Sequence, residues 1–525
     1  MVKCLHKNSF YPGRTKNNLR KFRKDYRMKF RNANKVKVIL VALGFLSIVA
    51  SAQSNDGFDI VLTGGRVIDP ETKLDAVKNI GITKNHIAAI SSQSLKGKEI
   101  IDVSGLVVAP GFIDLHVHGR TNVEQEYQLH DGVTTALELE WGIEYIDKWY
   151  ETRRGKALIN YGASACWAFE RFRALDSFKQ AEEELNQQVL NGQSGIEKLL
   201  NSLKPASNLS LTPSQIETTV ELIKRDLSNG AIGIGMPLGY VPGSKALEVY
   251  RVFQFAAEKQ ALIFTHVREE GISAVQQVIA NAMLTGAPLH IVHINSSTLG
   301  QINLGIEMVQ TAQKKGFNIT TELYPYPAAS TVLQSSVFDD GWQQRLGIGY
   351  GDLQWVGTGE RLTKESFDNY RKTGGVVIIY SMKPEWIKYG IAAKGTLIAS
   401  DGMPYSKLAH PRTAGTFSRL LGKYVREEKV LSLSEAIEKI TLLPAKRLEA
   451  IAPSMKKKGR IQIGADADIT IFDPNTIIDK ATFENGLAFS EGIEYVMVNG
   501  VFVLRNKQTV TNVFPGQAVF GKYKK

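Results

Sequence analysis

The chain of 525 residues is 43 % hydrophobic and 22 % charged, a globular composition that excludes fibrous, low-complexity and multispanning architectures. Its net charge of +12 invites a polyanion partner, but thirteen of the 64 Lys and Arg and only one of the 52 acids (Asp25) fall in residues 1–52. The rest of the chain is therefore electrically balanced, which argues against nucleic acid as a partner.

In chain order, a basic segment ending at Lys37 is followed by the apolar run "VILVALGFLSIVA" and by small residues "ASA" at 50–52. This is the three-part pattern of a secretory signal peptide, which predicts export to the periplasm and no stable membrane insertion after cleavage; an uncleaved anchor is the alternative. Of the two cysteines, Cys4 lies in this leader and Cys166 remains alone, so no internal disulfide is expected. From Phe58 to Ile101, short alternating runs such as "FDIVLTGGRVID" and "KNIGITKNHIAAI" predict strands joined by tight turns. The same texture returns in "GRIQIGADADITIFDP" and "IEYVMVNGVFVLRN" near the other end. Neither set alone makes a stable core, so residues 53–111 and 452–525 are expected to pair into one small β-sandwich domain.

Between them, strand-like runs at 112–118, 133–140, 158–166, 231–236, 261–267, 288–294, 317–323 and 395–400 alternate with amphipathic helical stretches. Eight such units over 112–451 predict an α/β fold of the closed (β/α)8 TIM-barrel type. The aromatic, glycine-containing stretch at about 327–375 breaks the rhythm and reads as an insertion or lid over the barrel mouth.

Chemistry concentrates at the predicted C-terminal strand ends, where the active sites of such barrels lie. "GFIDLHVHGR" places His116 and His118 two residues apart, on one face of an extended strand. "GVTTALELE" places Glu138 and Glu140 on one face, with Leu137 and Leu139 on the other. "IFTHVREEG" ends in His266, "HIVHINSS" in His293 and "LIASDG" in Asp401. Each piece alone has an ordinary reading: a packed histidine pair, a polar barrel residue, a helix N-cap. Together they form a mixed nitrogen and oxygen ligand set for zinc or a similar divalent ion, one or two per chain. His86, His130 and His290 read as ordinary core or surface histidines.

These residues resemble the amidohydrolase superfamily, and within it the D-aminoacylase branch of N-acyl-D-amino-acid deacylases. "VVAPGFIDLHVH", "GVTT", "GAIGIGMPLGYVPG", "THVREEG", "LYPY", "SDG" and "HPRTAGTFSRLLG" occur in the order that branch shows, over about residues 57–515. The resemblance implies that His116, His118 and Asp401 hold one metal site, and His266 and His293 the other. The branch usually places a cysteine or another bridging ligand after "GVTT"; here "LELE" stands there, so a carboxylate bridge is expected, Glu140 before Glu138. It further implies a substrate carboxylate held by Arg412 and by Tyr324 or Tyr326. The branch's lysine, two residues after the strand-six histidine, is Asn295 here, and Arg268 is the candidate to compensate.

The expected activity is metal-dependent hydrolysis of a linear amide, an N-acyl-D-amino acid such as N-acyl-D-glutamate, with Asp401 as general base and acid. Hydrolysis of a cyclic amide (hydantoinase-, dihydropyrimidinase- or dihydroorotase-like) is the enzymatic alternative. A non-catalytic secreted binding protein on the same fold is the alternative from another class.

Overall fold

The computed structural model describes residues 57–175, 206–406 and 408–525. The leader predicted at 1–52 lies outside the described residues. Among the described residues no helix is long and apolar enough to cross a membrane.

Eight parallel strands follow one another in space as they do in sequence: β1 (Phe112–Asp114), β2 (Val133–Ile143), β3 (Asn160–Cys166), β4 (Ile234–Pro237), β5 (Ile263–His266), β6 (Leu289–Ile291), β7 (Ile319–Leu323) and β8 (Leu397–Ile398). The segments just beyond β1 and β8 close the ring. Val117 and Gly402 form a parallel bridge, and the His118 N–H donates to the Gly402 carbonyl at 2.7 Å. The Ser400 N–H donates to Asp114 Oδ1 at 3.0 Å, which ties the same two segments again. Every residue of β2 and β3 is buried, as expected for strands covered by helices outside and side chains inside. Ile113, Leu115, Leu137, Leu139, Phe264, Val292 and Leu397, drawn from around the ring, form one apolar cluster with Leu448 and Met455 of the chain's last helices. The strand ends thus rest on a packed interior, not on a pore.

Sequence dictates the surrounding helices in a legible way. Thr121 caps Asn122–His130 and Thr212 caps Pro213–Ser228, each with the reciprocal bond from the third helical residue (Glu124, Gln215), and Pro213 opens the second at a position where no N–H is needed.

The strands predicted at both ends join in one nine-stranded sheet. Val107–Pro110 is its seam, pairing in parallel with Phe58–Asp69 and antiparallel with Ile469–Phe472. Leu62, Val67, Ile80 and Val108 from one end pack with Ile469, Ile471, Met497 and Phe502 from the other. Each end supplies apolar side chains that only the other can cover, and this is why a sheet split by more than 300 residues of barrel forms at all.

The stretch between β7 and β8 carries its own small antiparallel sheet, Ala329–Val332, Val376–Ile379 and Leu353–Trp355, the middle one paired to both others. Its third strand in sequence runs past residue 375. Leu333, Phe338, Trp342, Leu353, Trp355, Phe367 and Val377 give it a separate core. It is fastened to the loop after β4 by the Tyr240 and Thr331 hydroxyls, 2.8 Å apart, and by Ser336 Oγ donating to the Gly239 carbonyl.

Candidate metal centre and substrate cleft

At the C-terminal ends of the strands, four histidines and two carboxylates meet around Glu140. Glu140 Oε2 lies 3.1 Å from both His116 Nε2 and His118 Nε2. Its other oxygen, Oε1, lies 2.8 Å from His266 Nδ1 and 3.3 Å from His293 Nε2. One carboxylate therefore faces two histidine pairs with different oxygens. Asp401 closes the first half, its Oδ1 3.5 Å from His116 Nε2 and 3.3 Å from His118 Nε2.

Glu138 is placed differently. Its Oε2 is 3.2 Å from His118 Nδ1, the ring atom turned away from Glu140, and 3.6 Å from Arg120 Nε. Arg120 in turn pairs with Glu144 at 2.8 Å and donates to the Gly142 carbonyl at 2.9 Å. Glu138 thus stands behind a candidate ligand and not among the converging atoms.

Two residues outside the predicted set complete the same logic on the other side. His116 Nδ1 is 2.6 Å from Glu322 Oε1, and Glu322 Oε2 is 3.3 Å from His290 Nε2, all three side chains buried. Glu322 is the next-to-last residue of β7, in "TTELYPY", where a carboxylate just before the tyrosine motif was the available signal. His290, read from sequence as ordinary, is the second support of that carboxylate. Ser297 Oγ lies 3.2 Å from His293 Nδ1 and plays the corresponding part there.

This arrangement fits a divalent cation. With each Nδ1 of the His116 and His118 pair engaged by a carboxylate, each Nε2 points at Glu140 Oε2, and two basic atoms at 3.1 Å need positive charge between them. Burial alone lowers the affinity of both rings for protons, but the surrounding Asp401, Glu140, Glu322 and Glu138 carboxylates outweigh it and raise both pKa values well above the ordinary range. Burial likewise pushes the Glu140 carboxyl up, yet His116, His118 and His266 hold it well below its usual range. His116, His118 and Glu140 form one group able to hold an ion, and Glu140, His266 and His293 another.

Asp401 and His293 both sit at positive φ, 52° and 31°, a conformation that non-glycine residues adopt at a cost. The Gly402 carbonyl bridging to His118 and the bonds of Asp114 to the His116 and Ser400 N–H groups hold the first of these in place. Burial raises the Asp401 pKa, but the Arg412 guanidinium and the His116, His118 and His293 rings overcome it and keep the carboxylate ionised. Arg412 Nη1 lies 2.9 Å from Asp401 Oδ2, the oxygen not shared with the histidines.

A cleft opens onto these atoms. Its inner wall is His118, Glu140, His266, His293 and Asp401, and its outer wall is largely apolar and comes from the insertion: Ala329, Val332, Val337, Leu346 and Ile379. Tyr324 lines it, whereas the Tyr326 hydroxyl is turned to Asp479 and the Pro411 carbonyl, under Arg419. Arg268 donates to Ser244 Oγ, and buried Asn295 donates to the Tyr324 carbonyl. Arg412 stacks on Tyr324, its guanidinium carbon 4.7 Å from the ring centre, and donates to the Ser330 carbonyl. Among the described residues no lysine or arginine lines the cleft, while Glu269 and Glu270 do.

Comparison with known proteins places this site in a family. Residues 396–504 match the amidohydrolase family. A D-aminoacylase of Alcaligenes xylosoxydans xylosoxydans is 30 % identical over 494 residues, covering 89 % of this chain and 99 % of the relative. The chain belongs to the D-aminoacylase family. Another member, an N-acyl-D-glutamate deacylase of the same organism, is 29 % identical over 469 residues, 85 % of this chain and 93 % of the relative. The family fold is shared with the crystal structure of N-acyl-D-glutamate deacylase from Bordetella bronchiseptica, complexed with zinc and a phosphonate inhibitor. The two agree with a TM-score of 0.74 at 24 % identity, over 89 % of this chain and all of the other. The (β/α)8 architecture read from the sequence is the fold of this family.

Proposed function

We propose that this hydrolase of carbon–nitrogen bonds removes the acyl group from N-acyl-D-amino acids, with zinc as its resident ion. The observation that carries the reading is the placement of Glu140, one oxygen toward His116 and His118 and the other toward His266 and His293. Relatives named as D-aminoacylase and N-acyl-D-glutamate deacylase, matched over almost their whole length, support the substrate class. Imidazole nitrogens with carboxylate oxygens suit zinc among the divalent ions. Bound there, such an ion supplies Lewis-acid polarisation of a carbonyl and acidifies water.

The residues of the chain do the rest. Asp401 takes the proton of the attacking water and returns it to the amide nitrogen as the carbon–nitrogen bond breaks, so that acid and amine leave as separate products. Arg412 keeps Asp401 ionised until that transfer. Glu138 and Glu322 fix the tautomers and ring planes of His118 and His116. The apolar wall from the insertion excludes water from the substrate. Residues 1–52 are read as a leader removed on export.

A screen of N-acyl-amino acids in both enantiomers with the zinc-loaded protein, reading released amine, tests this directly. Release from D-substrates with little from L-substrates is expected; hydrolysis of cyclic amides alone, or of nothing, overturns it.

A further inference from the structure

Trp141 brings an unused donor to the cleft. Pairing of β2 with β3 breaks between Glu138 and Ile143, and within that break Glu140 and Trp141 both line the cleft, although successive residues of an unbroken strand face opposite ways. Trp141 is only 2 % exposed, and its Nε1 has no hydrogen-bond partner. An indole N–H can only donate, so burying it without an acceptor is costly, and at a cleft it marks a place that a ligand completes.

The surroundings narrow the acceptor. The backbone N–H of Trp141 is engaged, donating to Glu138 Oε1 at 3.4 Å. The Tyr240 ring stands edge-on to the indole, 5.4 Å between centres, and its hydroxyl is shared with Thr331 Oγ1. Tyr240 in turn lies 5.0 Å from the His266 ring, so Trp141 belongs to the His266 side of the converging atoms. Glu269 and Glu270 line the same cleft and, among the described residues, no lysine or arginine does, which disfavours an anionic acceptor. The neutral acceptor that an N-acyl-amino acid offers is its amide carbonyl.

We infer that the Trp141 indole N–H donates to the carbonyl oxygen of the amide being cleaved, which makes Trp141 a catalytic residue. The inference rests on the N-acyl-amino-acid reading above. As the water oxygen bonds the carbonyl carbon, the C=O π pair moves onto that oxygen and the hydrogen bond to it strengthens. The pair returns when the carbon–nitrogen bond breaks; the bonding electrons leave with nitrogen, which takes its proton from Asp401.

The test replaces Trp141 in the zinc-loaded protein by phenylalanine (Trp141→Phe) or by benzothienylalanine, an isostere with sulfur in place of the N–H. Amine release gives kcat and KM for N-acetyl-D-leucine, and calorimetry gives the affinities for its methylphosphonate analogue and for D-leucine. Both variants are expected to lose about a hundred- to a thousandfold in kcat with little change in KM, and to bind the phosphonate more weakly by a similar factor. D-Leucine, which has no acyl carbonyl, should bind wild type and both variants alike. An unchanged kcat, equal losses for the phosphonate and D-leucine, or a loss in Trp141→Phe that the isostere does not share overturns the inference. A lower melting temperature with kcat unchanged puts the N–H against the Tyr240 ring and overturns it as well. Wild type that cleaves only cyclic amides overturns the functional reading, while the same loss of kcat on those amides upholds the inference; no turnover of any amide overturns both. Zinc content and melting temperature control for folding, and the isostere carries the test where Trp141→Phe does not fold.

Discussion

Removing either glutamate of "LELE" should separate a bridge from a support. Glu140 makes four contacts at 2.8–3.3 Å to four different imidazoles, two through each oxygen. Glu140→Ala therefore removes the only carboxylate shared by both candidate ion groups and leaves four rings converging on an empty centre. Glu138 touches one imidazole, at the ring nitrogen turned away from the centre, and Arg120 keeps its 2.8 Å pairing with Glu144 when Glu138 is gone. Loss of such a support weakens metal binding by about ten- to a hundredfold, or about 1.4–2.8 kcal/mol. Metal content by mass spectrometry after gel filtration, followed by competition with a chromophoric chelator, reads both. Wild type and Glu138→Ala should retain metal, the latter with the weaker affinity, and Glu140→Ala should lose it from both groups. A Glu138→Ala protein stripped of metal beside a loaded Glu140→Ala protein would refute the assignment.

Asp401→Asn should keep its metal and lose about a hundred- to ten-thousandfold in kcat, the range for a lost general base; turnover at the wild-type rate removes Asp401 from the chemistry. Glu322→Gln should weaken metal binding by about ten- to a hundredfold, since His116 Nδ1 loses a charged partner at 2.6 Å; an unchanged chelator titration counts against it. Away from the site, the Arg460 hydrogen bond, helped by Lys446 and Gln462 against partial burial, lowers the Glu71 pKa to about 2 from 4.5. A carboxylate depressed in this way stabilises the fold above its unfolded pKa and loses that contribution as pH falls toward the folded one. The melting-temperature gap between wild type and Glu71→Gln should thus be full at pH 6 and close between pH 4.5 and 2; a gap independent of pH contradicts the assignment.

The barrel was legible because its apolar runs alternate with amphipathic helical stretches, and because His116, His266, His293 and Asp401 stand at or within three residues of the C-terminal ends of β1, β5, β6 and β8. A parallel strand buried on both faces needs a near-continuous apolar run, and polar side chains at its C-terminal end stand out against it. The small sheet inside the insertion was not legible. Ala329–Val332, Leu353–Trp355 and Val376–Ile379 are three or four residues each, shorter than a period-two pattern can establish, and they are held by partners up to 50 positions away. Glu322 and His290 escaped for a related reason: their importance lies in what stands behind His116, a contact between strands that no local pattern records.

The choice between Glu138 and Glu140 shows most clearly what sequence periodicity can and cannot decide. Two residues apart on one strand, they share a face, and alternation alone gives them equal claims. Pairing with β3 is regular through Glu138 opposite Ala163, then breaks, resuming at Ile143 opposite Ala165. Four residues of β2 separate those two pairs against one in β3, so the strand bulges where Glu140 lies, and a bulge re-aims the side chain it carries. Gly142, at φ 84° and with no room for a Cβ against the backbone of Ser164 and Ala165, makes that bulge possible. Its carbonyl also receives Arg120, the residue that holds Glu138 against His118. The glycine two positions after the carboxylate therefore serves both glutamates, freeing Glu140 to face both histidine pairs and anchoring the cation that keeps Glu138 behind one of them.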